Sequence, residues 1–358
     1  MKLLDSLASR WRTPLGALLA FTVGWVSTQR GPAEGPGSAA PTTDFRRWEP
    51  RVHDPSTLVP CGNEFWCFTT GPGIKSLRSR DLVHWEPGPP VFTNFPAWTR
   101  AVVPDHRGFF WAPDVLRVRD RYLLFYSVSS WGKNTSAIGL ATNPTLNPAD
   151  PSYRWTDAGI VIRSTSADTF NAIDPAATLD AEGRLWLAFG SFWSGIKLVE
   201  LNPSTGSYLS NGAPIYALAH HESIEAAFLQ RHGGHYFLFV NWGLCCRGTN
   251  STYEIRVGRS AGITGPYLDR DGKNLLDGGG TWLLGTTGSF IGPGHAGILP
   301  TGGTNWLSCH FYDGTQQGRA TLALLPLTWD AAGWPGVDAG KRLNTVVSRD
   351  AGSRGDLR

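Results

Sequence analysis

The sequence predicts an all-β fold, a five-bladed β-propeller, on three observations: an aromatic and turn-rich composition, five segments built on one pattern, and a spacing between them that suits about four short strands per unit. The composition excludes the alternative classes first. The 358 residues include Trp 16, Phe 17, Tyr 9, Gly 43 and Pro 25 but a single Met. Such a chain favours short aromatic strands joined by tight turns over long amphipathic helices.

The repeat comes next. Five segments share an order of polar or acidic lead residue, small and apolar residues, polar turn and aromatic strand: HDPSTLVPCGNEFWCFTT from His53, APDVLRVRDRYLLFYSV from Ala112, IDPAATLDAEGRLWLAFGS from Ile173, IEAAFLQRHGGHYFLFVN from Ile224, and GHAGILPTGGTNWLSCHFYD from Gly294. They recur at intervals of roughly 50–70 residues, within the range of propeller blades. Each reads as a hairpin turned at Ala181-Glu182-Gly183, His232-Gly233-Gly234 or an equivalent, with alternate aromatic residues packing between blades. The lead residues are Asp54, Asp114, Asp174, Glu225 and His295. Equivalent positions of propeller blades surround one axis, so these five are expected at one end of the central channel.

The expected propeller runs over 44–346. Before it, Lys2, Arg10 and Arg12 precede an apolar run from Pro14 to Val26, which reads as a signal peptide or N-terminal anchor within 1–30, followed by a Pro/Gly/Ala-rich linker over 31–43. A secreted or periplasmic protein is expected, with no membrane contact beyond that anchor. Residues 347–358 read as a disordered tail. The net charge of +3, with its basic residues dispersed, excludes nucleic acid and anionic membrane surfaces as partners and leaves a neutral one. A monomer is expected. Five cysteines suit an exported protein; a local Cys61–Cys67 bridge, a vicinal Cys245–Cys246 bridge and free thiols all remain open.

The chemistry follows from the convergence. Asp54, Asp174 and Glu225 held together resist joint ionisation, so one carboxyl group stays protonated beside another that is charged, the division that glycosidic cleavage needs. Glu222 competes with Glu225 but lies off the lead position. Asp114 serves either the site or an ion pair with Arg117 or Arg119. His295, in GPGHAG, is either a core hydrogen-bonding residue or a ligand to a hydrated ion. Trp111, Trp131, Phe192 and Trp193 lie next to or soon after lead motifs and suit sugar platforms.

At these residues the sequence resembles the arabinanases of glycoside hydrolase family 43. The stretches that carry the resemblance are HDPS at His53, FWAPDV at Phe110, NTSAIGLA at Asn134, FNAIDPA at Phe170, FGSFWSGI at Phe189, ESIEAAFL at Glu222, CCRGTNSTYEIRVGRS at Cys245, GPGHAG at Gly292 and WLSCHFYD at Trp306. It departs from commoner forms near Leu244 and Cys309, at no catalytic group. The resemblance implies a five-bladed propeller that cleaves α-1,5-linked arabinan or arabino-oligosaccharide with inversion. It implies Asp54 as general base, Glu225 as general acid and Asp174 as the residue that raises the acid's pKa. Substrate contacts carry over to Trp111, Trp131, Gly132, Asn171, Ala172, Ile173, Ser191, Phe192 and Trp193, and a water-held calcium ion to His295. A propeller glycosidase acting on xylosides or arabinofuranose side chains, and a noncatalytic carbohydrate-binding propeller, are the alternatives.

Overall fold

Aromatic runs that would be half-exposed in a single sheet are buried on both faces here, because sheets stand side by side around an axis. A computed structural model describes residues 51–347 apart from 211; the expected signal or anchor segment, the linker and residues 348–358 of the expected tail lie outside them. Blade one contains β1 (Val59–Cys61), β2 (Glu64–Thr69), β4 (Lys75–Ser79) and β5 (His84–Gly88), while β3 (Gly71–Pro72) crosses to the next sheet. After the short helix α1 (Trp98–Val102), blade two contains β6 (Phe109–Val118), β7 (Arg121–Val128), β8 (Ser136–Asn143) and β9 (Thr156–Ser164). Blade three contains β10 (Ala176–Leu179), β11 (Leu185–Phe189), β12 (Ile196–Leu201) and β13 (Tyr216–Ala219). Blade four contains β14 (Glu225–His232), β15 (His235–Trp242), β16 (Glu254–Ser260) and β17 (Thr281–Leu284). Blade five contains β18 (Phe290–Thr301), β19 (Thr304–Asp313), β20 (Arg319–Trp329) and β21 (Pro335–Val337).

Each blade is an antiparallel meander, and the hairpins form where the turn residues predict. Gly233 and Gly234, at φ +55° and +81°, join β14 to β15 with His232 paired to His235, a left-handed pair that a two-residue hairpin requires. The ring closes in two ways. A final strand, β22 (Val346–Val347), adds in parallel to β5, and Leu299, Leu322 and Leu324 of blade five pack on Cys67, Leu77 and Trp85 of blade one.

The apolar interior is divided among the five interfaces between blades. In β7, Leu124 and Tyr126 face Trp66 and Phe68 of blade one, whereas Leu123 and Phe125 face Leu185, Leu187 and Phe189 of blade three. Alternate residues thus pack on opposite neighbours, and the strand has no solvent face. A fully buried side chain of this size contributes roughly 1.5–3 kcal/mol of transfer free energy.

The first strands line the centre: β6 packs on β1 and β10, and β14 on β10 and β18. Every blade breaks its inner pairing at one left-handed residue, Asp54, Ala112, Asp174, Ala226 or His295, with φ between +41° and +62°. The ladders beside Ala112, Ala226 and His295 show the matching register shifts. This bulge corrects the expected repeat. Asp54, Asp174 and His295 are equivalent, but blade two places Ala112 at that position and blade four places Ala226. Asp114 stands two residues later and Glu225 one residue earlier.

The bulge has a recurring partner. The N–H groups of Ala112, Asp174 and His295 donate to Thr70 Oγ1 at 2.8 Å, Ser127 Oγ at 3.0 Å and Asn241 Oδ1 at 2.9 Å, and that of Asp54 to His310 Nδ1 at 3.2 Å. Each acceptor lies in or just after the second strand of the preceding blade, so a backbone donor freed by the bulge is satisfied from next door.

Candidate active site

Blade three has no such acceptor. The equivalent residue is Gly190, at φ +127°, where an added Cβ would lie 2.5 Å from the Gly195 carbonyl oxygen. The Ala226 N–H therefore turns to Asp174, whose Oδ2 accepts it at 3.2 Å. One glycine thus draws a carboxylate from blade three across to the residue beside Glu225.

Asp54, Asp174 and Glu225 all line one cavity of about 1390 Å3 at the end of the channel. Their environments separate their charges. Asp54 Oδ2 accepts from Thr70 Oγ1 at 2.6 Å and from His53 Nδ1 at 2.8 Å, while Oδ1 has His295 Nδ1 at 3.6 Å and His310 Nδ1 at 3.7 Å, beyond hydrogen-bond length. One oxygen carries two hydrogen bonds and the other has only these longer contacts. Burial alone would raise the Asp54 pKa, but the charge and hydrogen bond of His53, with contributions assigned to His295 and His310, hold it far below the usual carboxylate range. Burial also pushes the pKa values of His295 and His310 down, so near neutral pH those rings are uncharged, and the acidity of Asp54 rests on His53.

Glu225 is the opposite case. Only 8% of it is exposed, and burial together with the charge of Asp54 pushes its pKa up to about 7 against the opposing hydrogen bond from Ser191. Ser191 Oγ donates to Glu225 Oε2 at 2.7 Å. Asp174 is pushed well above the carboxylate range by burial, then by the charges of Glu225 and Asp54. Near neutral pH the cavity thus presents a charged carboxylate at Asp54 and carboxylic acids opposite it. Glu222 lines the same cavity but is exposed.

The aromatic wall is built on strained turns. Trp131 is 74% exposed and Trp193 41%, and Trp111 meets Trp131 edge to face at 6.4 Å. Phe192 and Trp193 hold φ of +51° and +39°, the kind of backbone strain that persists where a function needs the side chains displayed. Gly132, Asn171, Ile173 and Ser191 also line the cavity. Two expected residues do not. Ala172 is fully buried, its N–H donating to Ser164 Oγ at 2.9 Å, and His295 lies behind Asp54. Asn171 lines the wall while its Oδ1 accepts from Ser136 Oγ at 2.7 Å.

Asp114 takes neither expected role. Its Oδ1 accepts from the Thr57 N–H at 2.9 Å and its Oδ2 from the Ala177 N–H at 3.0 Å, so it staples blades one and three across blade two. The polar residues around the carboxylates, Thr70 and His53 on Asp54, Ser127 on the Asp174 N–H and Tyr312 on His53, were not singled out from the sequence. The polar residue that ends an aromatic strand, as in WCFTT, LFYSV and SCHFY, was the available signal.

Comparison with known proteins agrees with this geometry. The sequence model of glycosyl hydrolases family 43 matches residues 49–335. The chain is 42% identical over 311 residues to an extracellular exo-α-(1→5)-L-arabinofuranosidase of Cellvibrio japonicus, covering 83% of this chain and 89% of the relative. It is 40% identical over 324 residues to an extracellular endo-α-(1→5)-L-arabinanase of Bacillus subtilis, covering 88% and 94%. A solved Cellvibrio cellulosa α-L-arabinanase complexed with arabinohexaose superposes with a TM-score of 0.78 at 40% identity, over 82% of this chain and 97% of that one. With the family pattern spanning nearly the whole propeller and three carboxyl groups lining one cavity, the chain belongs to glycosyl hydrolases family 43 and is a glycoside hydrolase.

Proposed function

We propose that the chain hydrolyses α-1,5-linked L-arabinofuranosyl bonds of arabinan and arabino-oligosaccharides by single displacement with inversion. The observation that carries this reading is the opposite ionisation of Asp54 and Glu225 on one cavity. The arabinan-directed names of relatives at 42% and 40% identity supply the sugar. A water against Asp54 Oδ1 loses a proton to it while the water oxygen attacks the anomeric carbon. Glu225 gives its proton to the departing glycosidic oxygen, and solvent exchange restores both groups. Asp174 adjoins Glu225, so the two carboxyl groups resist joint ionisation, and its Oδ2 fixes the Ala226 backbone beside the acid. Trp131 and Trp193 offer faces to the sugar rings.

A calcium ion held largely through waters fits the donors near His295: an uncharged imidazole nitrogen, the Asp54 carboxylate, and His310 Nε2, which is buried without a partner and can donate to a shell water. His295 would hold the ion, which would supply positive charge beside the base; calorimetric titration showing the same calcium affinity in His295→Ala would exclude it. Export fits the extracellular relatives.

The test is kinetic. Asp54→Ala and Glu225→Ala should each lower turnover of linear arabinan by roughly a thousandfold with the fold retained. Turnover within about tenfold of the parent would refute the assignment. Proton NMR of the first product formed should show the inverted anomer, and a retained anomer would refute single displacement.

A further inference from the structure

We propose that Tyr312 and the Cys245–Cys246 disulfide form a positioning element for the water-activating carboxylate, holding His53 in the orientation that presents Asp54 to the cavity. The proposal rests on the hydrolase reading above and adds residues for which that reading has no role. The vicinal bond is the single disulfide of the chain, since Cys61, Cys67 and Cys309 are free. It lies on the cavity wall with the three carboxylates.

The contacts run from the disulfide to the base through Tyr312, with Cys246 Sγ itself 3.7 Å from His53 Nε2. The Cys246 N–H donates to Tyr312 Oη at 2.7 Å, Tyr312 Oη meets His53 Nε2 at 2.8 Å, and His53 Nδ1 meets Asp54 Oδ2 at 2.8 Å. A backbone amide can only donate, so Tyr312 accepts from Cys246 and keeps its own hydrogen for His53 Nε2. In the neutral ring this leaves the hydrogen on Nδ1, directed at Asp54; in the protonated ring Nδ1 donates as well. The ring plane is held by stacking on His310, with centroids 4.1 Å apart and planes 24° apart.

The disulfide matters because it encloses the peptide that supplies the first donor. Joining the sulfurs of adjacent residues closes a small covalent ring containing the Cys246 N–H, and Cys246 stands in the left-handed region at φ +67°. The flanks of the loop are tied down separately. The Gly243 N–H donates to Ser223 Oγ at 3.1 Å, the Leu244 N–H to Thr252 Oγ1 at 3.0 Å, and the Arg247 N–H to Ser251 Oγ at 3.0 Å. Between those anchors the covalent ring sets the direction of the amide, Tyr312 passes that direction to His53, and His53 fixes the rotation of the Asp54 carboxylate about its last bond. Blades four, five and one meet in this line.

The experiment measures kcat and KM on arabino-oligosaccharide for the parent, Tyr312→Phe, the double variant Cys245→Ala with Cys246→Ala, and all three substitutions together, with Asp54→Ala as control. The parent is also assayed after reduction by a phosphine, which takes an oxygen from water as the disulfide gains two electrons and two protons to become two thiols. Each perturbation should lower kcat by roughly 10- to 100-fold, by analogy with loss of the outer partner of a metal-bound imidazole, with KM within about twofold. The triple variant should be no slower than Tyr312→Phe alone, because members of one line do not add. Reoxidation should restore the reduced parent, an arm that needs no substitution and so does not depend on any variant folding. A kcat for Tyr312→Phe within about twofold of the parent, independent multiplication of the two effects, or a change in KM alone would overturn the proposal. Parent-like turnover by Asp54→Ala would instead overturn the hydrolase reading.

Discussion

Removing the Ser191 hydroxyl should move the basic limb of the pH–rate profile upward. Ser191 Oγ donates to Glu225 Oε2 at 2.7 Å inside a buried site, and a hydrogen bond to a charged group is worth roughly 1.5–3 kcal/mol. That bond favours the carboxylate over the acid, so Ser191→Ala penalises the charged form and raises a pKa that burial has already pushed up to about 7. At about 1.4 kcal/mol per pH unit, the shift is roughly one to two units. The general acid works while protonated, so activity that declines above pH 7 in the parent should persist to higher pH in the variant. The assay is kcat/KM against pH on arabino-oligosaccharide, which reports groups in the free enzyme; because Glu225 and Asp174 interact, the limb belongs to the pair. A basic limb that stays in place or moves to lower pH would refute the argument, because the hydroxyl would then not be stabilising the charged form of the acid.

Two further outcomes follow from buried carboxylates. Glu225→Gln should stabilise the fold at pH 8 more than at pH 5: the folded pKa lies near 7 against an ordinary 4.5, so the parent loses on the order of 3 kcal/mol as pH rises through that window, and the amide does not. Thermal melts at both pH values check this, and equal shifts at both would contradict it. Asp114→Ala should destabilise by roughly 2–6 kcal/mol, because the Thr57 and Ala177 N–H groups each lose a buried acceptor; an unchanged urea midpoint would show that the staple bears no load.

The sequence by itself determined the fold class and the three carboxylates, because both depend on local signals. Aromatic strands must be covered on two faces, and short turn-bounded hairpins recurring through the chain leave a ring of blades as the way to cover them. The motifs around Asp54, Asp174 and Glu225 are equally local, and the resemblance they carry brought the roles expected of each residue. Register and charge were settled only by the tertiary structure. Asp114 looked equivalent to Asp54 in sequence, yet the bulge falls on Ala112, two residues earlier, and its carboxylate staples neighbouring strands. The bulge aligns with the small or Pro residue that follows each left-handed position, a weaker signal than an acidic side chain. The contrast between Asp54 and Glu225 was legible from the residues alone as a need, and as an assignment only through the resemblance. It arises because His53 and Thr70 reach one carboxylate while the other meets mainly burial, and His53 and Thr70 of blade one, Tyr312 of blade five and the Cys245–Cys246 loop of blade four meet only when the ring closes.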